Sequence, residues 1–81
     1  MINLDDIKPD YNLDCSGLMC PLPIYNLGKK IKELQPGQTL ELLATDSGVE
    51  SDIPAWCKAT NNEYLGLKQE GGIYKLYVRK N

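Results

Sequence analysis

The chain has 81 residues, a net charge of −2 and a pI near 4.9. A chain of this length forms one domain that buries only about 60% of its unfolded surface, so a large enclosed active site is not expected. The acidic balance argues against direct nucleic-acid binding, and no apolar run approaches the roughly 20 residues of a membrane span. The absence of histidine excludes a Cys-His dyad and most zinc sites.

The cysteine content indicates a reducing compartment. No secretory leader opens the sequence, so we expect a cytoplasmic protein in which the three cysteines stay reduced. An odd count of cysteines argues against a disulfide framework. The spacing of these cysteines does not suit zinc, so we expect neither a metal nor a cofactor.

The first half of the chain predicts a strand and a helix. Residues 1–10 form a loose lead-in, and residues 11–81 form the single domain. Apolar residues alternate over 11–15, which predicts a short strand. Helical spacing follows at Ile24, Leu27, Ile31 and Leu34. The segment Gln35-Pro36-Gly37 is predicted to end this helix.

The second half predicts a strand, a helix and a hairpin. A strand is expected over Thr39–Thr45, followed by a helix that Ser47 and Glu50 begin with a capping box. Pro54 predicts a kink or restart in that helix. Strands at Tyr64–Gln69 and Ile73–Arg79 flank a turn at residues 70–72.

The order β-α-β-α-β-β predicts an α/β (α+β) fold. Strand-helix-strand units favour parallel pairing, and the final hairpin is antiparallel. The simplest packing is a two-layer sandwich, in which a four-stranded mixed sheet carries both helices on one face.

Cys20 stands at the mouth of the first predicted helix. If Pro21 is the first helical residue, Cys20 is the N-cap; if the helix begins at Pro23, Cys20 lies two residues outside it. The prolines remove two donors, which leaves the amides of Leu22 and Ile24 as partners for the sulfur. We interpret the prolines as stiffening the presentation of that sulfur.

Magnitudes limit what the helix alone can do for Cys20. A thiol with a pKa of about 8.5 needs roughly 2 kcal/mol of thiolate stabilisation to be half ionised at pH 7. A helix terminus supplies about 0.3–1 kcal/mol and at best about 2. A persulfide is more acidic than a thiol and is ionised there without further help. The site therefore suits holding a sulfane sulfur.

Two blocks of sequence resemble the TusA/SirA family of small sulfur carriers. The first block combines Leu13-Asp14, Gly17-Leu18 and the Cys-Pro-X-Pro motif Cys20-Pro21-Leu22-Pro23. The second comprises Asp46, the triplet Asp52-Ile53-Pro54 and Cys57, and the resemblance spans residues 11–79. At two positions the sequence departs from the family. Met19 replaces a residue that is often polar or basic, and Leu22 one that is acidic in some members.

The resemblance implies that Cys20 carries a persulfide. Such proteins accept sulfur from a cysteine desulfurase or rhodanese-like donor protein and pass it to an acceptor protein. They serve tRNA thiolation, molybdenum-cofactor maturation, selenium handling or sulfur oxidation. The resemblance thus implies a sulfurtransferase-type carrier that acts with partner enzymes. We expect the chain to be a monomer or a weak oligomer.

The other cysteines have structural and functional interpretations. Cys57 lies four residues after Ile53, on or beside the apolar face of the second helix, so it is either a core residue or a second thiol. Cys15 shares a strand face with Leu13, which favours the core. Four residues separate Cys15 from Cys20, which leaves a disulfide under oxidative stress open.

Basic residues offer a docking surface or simply a solvated face. They are Lys29, Lys30, Lys32, Lys75, Arg79 and Lys80. Asp46 and Asp52 fit a turn and a helix start better than a catalytic pair. Two alternative functions stay open: an interaction module that uses the basic helix and an exposed Tyr77, and a thiol redox sensor.

Overall fold

The computed structural model describes residues 6–19 and 21–81, which form four strands and two helices. The strands are β1 (Tyr11–Cys15), β2 (Thr39–Ala44), β3 (Glu63–Glu70) and β4 (Ile73–Arg79). The helices are α1 (Leu22–Ile31) and α2 (Val49–Thr60). This order confirms the predicted β-α-β-α-β-β succession. Neither helix is long and apolar enough to cross a membrane.

The strands form one mixed sheet in the order β1-β2-β4-β3. β1 and β2 are parallel, whereas β4 is antiparallel to both β2 and β3. β1 and β2 therefore end at the same edge of the sheet, which we call the junction edge, because both connections to the helices start there. β1 begins and β4 ends at the opposite edge.

One face of the sheet carries the core and both helices. Leu40, Leu42 and Ala44 of β2 are buried and alternate with more accessible residues. Both helices send buried side chains into this cluster: Leu27, Ile31, Val49, Ile53 and Cys57. Burying an aliphatic side chain of this size contributes about 1.5–3 kcal/mol. The shared cluster confirms the predicted two-layer sandwich.

α1 ends one turn earlier than predicted. The chain leaves the helix after Ile31, and Leu34 N–H donates to the Ile31 carbonyl over 3.2 Å, a tighter turn than that of an α-helix. Leu34 still packs into the core, which explains why its spacing resembled helix. Lys80 Nζ donates to the Ile31 carbonyl over 3.0 Å and satisfies an acceptor at the helix end.

α2 begins without the predicted capping box. Gly48 is the N-cap, no side chain caps the helix, and Glu50 N–H donates to the Ser47 backbone carbonyl. The predicted restart at Pro54 is also wrong, because α2 is continuous from Val49 to Thr60. The buried side chains of Val49, Ile53 and Cys57 hold the helix on the core and outweigh the hydrogen bond that a proline removes.

Tyr77 is buried rather than exposed. Only 3% of its surface is accessible, although it faces away from the helices. Its hydroxyl donates to Glu41 Oε2 over 2.7 Å, across the β2–β4 pair in which the two residues are opposite. Alternation along β4 identified the face of Tyr77 but not what covers that face. The interaction module therefore loses one of its two predicted contact sites.

Candidate functional site

Hydrogen bonds hold the first residues of the connection between β1 and α1 in place. Gly17 has a φ of 81°, a left-handed conformation that favours glycine, and its N–H donates to Thr45 Oγ1 over 2.9 Å. Ser16 N–H donates to Asp14 Oδ1 over 2.9 Å. The Ser16 hydroxyl and backbone N–H together lower the pKa of Asp14. The loop is thus tied both to β1 and to the end of β2.

α1 begins between the two predicted starting points. Leu22 is the first helical residue and Pro21 is the N-cap, with no side-chain cap. Leu22 N–H donates to the Met19 carbonyl over 2.9 Å, so this amide is not free for a sulfur atom, and that part of the prediction was wrong. Pro23 is buried in the first turn, where a missing N–H costs little.

Cys20 itself lies outside the described residues, and its role as carrier stays a prediction. Its described neighbours expose apolar surface: Met19 is 73% accessible and Leu22 48%. Tyr25, on the next turn of α1, is 62% accessible. We call Met19, Leu22 and Tyr25 the apolar rim. Large exposed apolar side chains that cluster in this way mark an interaction site more often than scattered ones do.

The two helix starts at the junction edge differ in charge. The first turn of α1 contains no acidic residue, whereas that of α2 contains Glu50 and Asp52. Asp46 accepts a hydrogen bond from Gly48 N–H at 3.4 Å, beside the same start. This places Asp46 and Asp52 at a turn and a helix start, as predicted. The first turn of α1 therefore supplies no carboxylate to neutralise the positive end of the helix dipole.

The other two cysteines belong to the core. Cys15 is fully buried, and Cys57 is 1% accessible. Burial raises the pKa of the Cys57 thiol to about 11. Burial also raises the pKa of Cys15, against the opposing effect of a hydrogen bond with the Asn26 side chain. The prediction for Cys15 as a core residue is confirmed, and the same placement of Cys57 favours its structural interpretation.

The basic residues do not form one surface. Lys75 and Arg79 are on the sheet face without helices, where they pair with Glu70 and Glu63 over 3.2 Å and 3.1 Å. Lys80 binds the end of α1, as described above. On α1, Lys30 Nζ lies 3.8 Å from Glu33 and 5.1 Å from the centre of the Tyr11 ring. Lys29 and Lys32 have no carboxylate in ion-pair range among residues 6–19 and 21–81.

A groove of about 510 Å³ runs between α1 and α2. Its lining is Ile24, Tyr25, Gly28, Lys29, Ile31, Lys32, Trp56, Thr60 and Asn62. A Cβ added at Gly28 would lie 4.0 Å from Trp56 Nε1, so the indole sits directly over the glycine. We call this the α1/α2 groove. The sequence did not predict this groove, although a glycine inside an otherwise regular helix was a local signal of it.

Within the described part of the chain, no group of three or more cysteine, aspartate or glutamate side chains could hold a metal ion.

Comparison with known proteins identifies the family. The family model described as Sulfurtransferase TusA matches residues 11–80. The chain is 39% identical over 77 residues to the sulfur carrier protein TusA of Pseudomonas entomophila, covering 95% of this chain and 96% of that protein. It is 42% identical over 72 residues to the sulfur carrier protein TusA of Allochromatium vinosum, covering 89% and 95%.

Some relatives are much longer than this chain. YrkF of Bacillus subtilis is 47% identical over 74 residues, which are 91% of this chain, but the chain spans only 40% of that protein. The crystal structure of a SirA-like protein from Desulfitobacterium hafniense is similar in fold. It has a TM-score of 0.75 and 17% identity, and covers 85% of this chain and 95% of that chain. It confirms the predicted fold class.

Proposed function

The chain belongs to the TusA sulfurtransferase family, and from this we propose that it carries sulfane sulfur as a persulfide on Cys20. The names of its relatives support a role as a sulfur carrier. The proposal adds the residue, the chemical state of the sulfur and a relay between a donor protein and an acceptor protein. We place this relay in the cytoplasm, where thiols stay reduced.

The observation that carries the assignment to Cys20 is the burial of the other two cysteines. Cys15 and Cys57 have almost no accessible surface, and burial raises the pKa of both thiols. A carrier sulfur must meet a partner's sulfur directly, and the thiolate is the reactive form. Both described cysteines are therefore poor carriers, and the proposal assigns the sulfur to the third cysteine, Cys20 of the Cys-Pro-X-Pro motif.

The transfer follows the chemistry of thiol-disulfide exchange. The Cys20 thiolate attacks the outer sulfur of a donor persulfide, R–S–SH. The donor S–S bond breaks, R–S⁻ leaves, and Cys20 becomes S–SH. In the second step an acceptor thiolate attacks that outer sulfur, takes it and releases the Cys20 thiolate. No net oxidant or reductant is consumed, because one S–S bond forms as another breaks.

The described residues support this chemistry in two ways. The α1 start has no acidic residue in its first turn, so the helix dipole favours an anionic sulfur placed before it. The hydrogen bond between Gly17 and Thr45 and that between Leu22 and Met19 hold the chain on both sides of position 20. The buried side chain of Pro23 anchors the first turn to the core.

The test is intact-protein mass spectrometry after incubation with a cysteine desulfurase and cysteine, and separately with inorganic polysulfide. We expect a gain of one sulfur atom in the wild type, Cys15→Ser and Cys57→Ser, and none in Cys20→Ser. Polysulfide needs no protein docking, so it tests the thiol itself. An adduct that survives Cys20→Ser, or no adduct with either donor, would overturn the proposal.

A further inference from the structure

We infer that the α1/α2 groove binds an acidic segment of a partner protein, one that inserts an apolar side chain and places carboxylates against Lys29 and Lys32. The inference rests on the proposed function insofar as the partner is a sulfur donor or acceptor. The groove, its chemistry and its test are independent of Cys20.

The charge of the groove is opposite to that of the whole chain. The chain carries a net charge of −2, but the groove lining contains two lysines and no aspartate or glutamate. Lys29 Nζ lies 5.4 Å from the centre of the Tyr25 ring, and neither lysine has a carboxylate in ion-pair range in the described part of the chain. A partner's carboxylates would supply the missing counter-charges.

Trp56 adds a third donor and an apolar wall. Its indole N–H has no hydrogen-bond acceptor among the described residues and lies beside Gly28, where the helix backbone is bare. Indole nitrogen is only a donor, and so are the two lysine ammonium groups. A groove whose unpaired nitrogen groups are all donors suits a ligand rich in acceptors, and a charged carboxylate is a strong acceptor.

The layout of the groove sets the orientation of the segment. Lys29 and Lys32 are three residues apart, so they project from the same side of α1 about one turn apart. From Ile24 to the C-cap residue Lys32 the chain rises about 12 Å, enough for three or four extended residues of a ligand. The apolar rim adjoins the N-terminal end, nearest position 20, and the lysines lie toward the other end. A partner would therefore cover the rim with apolar residues and the far end with acidic ones.

The experiment uses the single tryptophan of the chain as its reporter. The full chain, labelled with ¹⁵N, is titrated with the peptide acetyl-Leu-Gly-Glu-Glu-amide and with acetyl-Leu-Gly-Gln-Gln-amide. We expect the Trp56 indole N–H signal to shift with the Glu peptide at millimolar concentration, and at least about tenfold weaker binding of the Gln peptide. Tenfold corresponds to about 1.4 kcal/mol, the scale of two exposed ion pairs. The double variant Lys29→Glu/Lys32→Glu should bind the Glu peptide more weakly than the wild type by a similar factor.

Lys58→Glu is the matched control. Lys58 lies in the last turn of α2, as Lys29 does in that of α1, so reversing its charge imposes a similar cost on its helix without altering the groove. Lys58→Glu should leave peptide binding unchanged. In the wild type, 0.5 M NaCl should weaken binding because exposed ion pairs are screened, which tests the proposal without any variant.

Equal binding of both peptides, no shift with the Glu peptide, or no effect of Lys29→Glu/Lys32→Glu would overturn the inference. A concentration-dependent dimer, abolished by the double variant, would also overturn it and assign the groove to a second copy of the chain. Binding by Cys20→Ser with wild-type affinity is expected. If Cys20→Ser binds the Glu peptide but the wild type takes up no sulfur, the persulfide proposal is wrong and the inference about the groove still holds.

Discussion

The two strand-helix units of this fold share an architecture but treat their cysteines and charges in opposite ways. The first unit, β1 and α1, has a buried cysteine at the end of its strand, a second cysteine, Cys20, just before its helix in the sequence, and no acid in the first turn of that helix. In the second, β2 and α2, the cysteine is buried inside the helix face and the first turn has two acids. The same order of strand and helix therefore gives two different helix starts. The start of α2 has carboxylates in its first turn, whereas the start of α1 has none and can accept an anion from elsewhere.

The largest expected effect concerns the buried thiol of the second unit. Folding raises the pKa of Cys57 from an ordinary 9.0 to about 11, so the folded chain holds this proton more tightly than the unfolded chain. The protonated Cys57 thiol therefore contributes to the free energy of unfolding. This contribution is complete below pH 9 and is lost as the pH rises through about 11. It amounts to roughly 2–3 kcal/mol at about 1.4 kcal/mol per pKa unit.

Urea unfolding between pH 8 and 11 measures this loss. The free energy of unfolding should fall more steeply for the wild type than for Cys57→Ala, which lacks the titrating thiol. Tyr64 is present in both proteins, so the rise in its pKa from burial cancels; the smaller rise that the Cys57 thiolate causes is lost with Cys57 and counts as part of that residue's effect. Equal slopes would show that Cys57 ionises as easily in the folded chain as in the unfolded one, and would reopen its role as a second reactive thiol.

The next effect tests the connection in the first unit. Gly17→Ala should destabilise the fold by about 1–2 kcal/mol, because a φ of 81° is unfavourable for alanine, although an added Cβ meets no atom within 4 Å. Gly28→Ala is the control. Gly28 is inside α1 with an ordinary φ and room for a Cβ, so this change should stabilise the fold by about 0.5–1 kcal/mol. Urea unfolding that gave the two changes the same sign would contradict the assigned loop geometry.

The smallest effect comes from giving the first unit the charge of the second. Leu22→Glu places an acid in the first turn of α1, at an exposed position. It should raise the pKa of Cys20 by about 0.2–0.7 units, since a charge at a helix terminus is worth about 0.3–1 kcal/mol. The pH dependence of alkylation by iodoacetamide measures this pKa, with Leu22→Gln as the uncharged control. The same pKa in both variants would remove the electrostatic contrast between the units.

The sequence predicted the elements and their layers because burial repeats with the period of each element. Alternation along β2 and the helical spacing of Leu27 and Ile31 depend on which side faces the core, and the structure confirms both. The end of α1 was misplaced because Leu34 is equally buried in a tight turn. Apolar spacing reports burial, and backbone hydrogen bonding decides where a helix ends.

The candidate site was predictable only in part. The Cys-Pro-X-Pro motif points to position 20, which stays a prediction, and strand alternation placed Cys15 in the core, which the structure confirms. The groove depends on how two helices meet. Gly28 is a local signal inside α1, but Trp56 is far from it in the chain, and the sequence does not show that the indole lies over this glycine. Tyr77 shows the same limit. Alternation along β4 predicted which face of the sheet Tyr77 occupies, but its burial depends on packing outside that strand.

The antiparallel last strand bears on how this unit could be joined to another. β1 begins and β4 ends at the edge of the sheet opposite the β1–α1 connection. A strand of six residues spans about 20 Å. A domain joined before β1 or after β4 would therefore be attached about 20 Å from the β1–α1 connection. A tether of at least about six extended residues would be needed before such a domain could reach back to position 20. Linker length would then decide whether a tethered domain reaches position 20 of its own chain or leaves that position accessible to separate partner proteins.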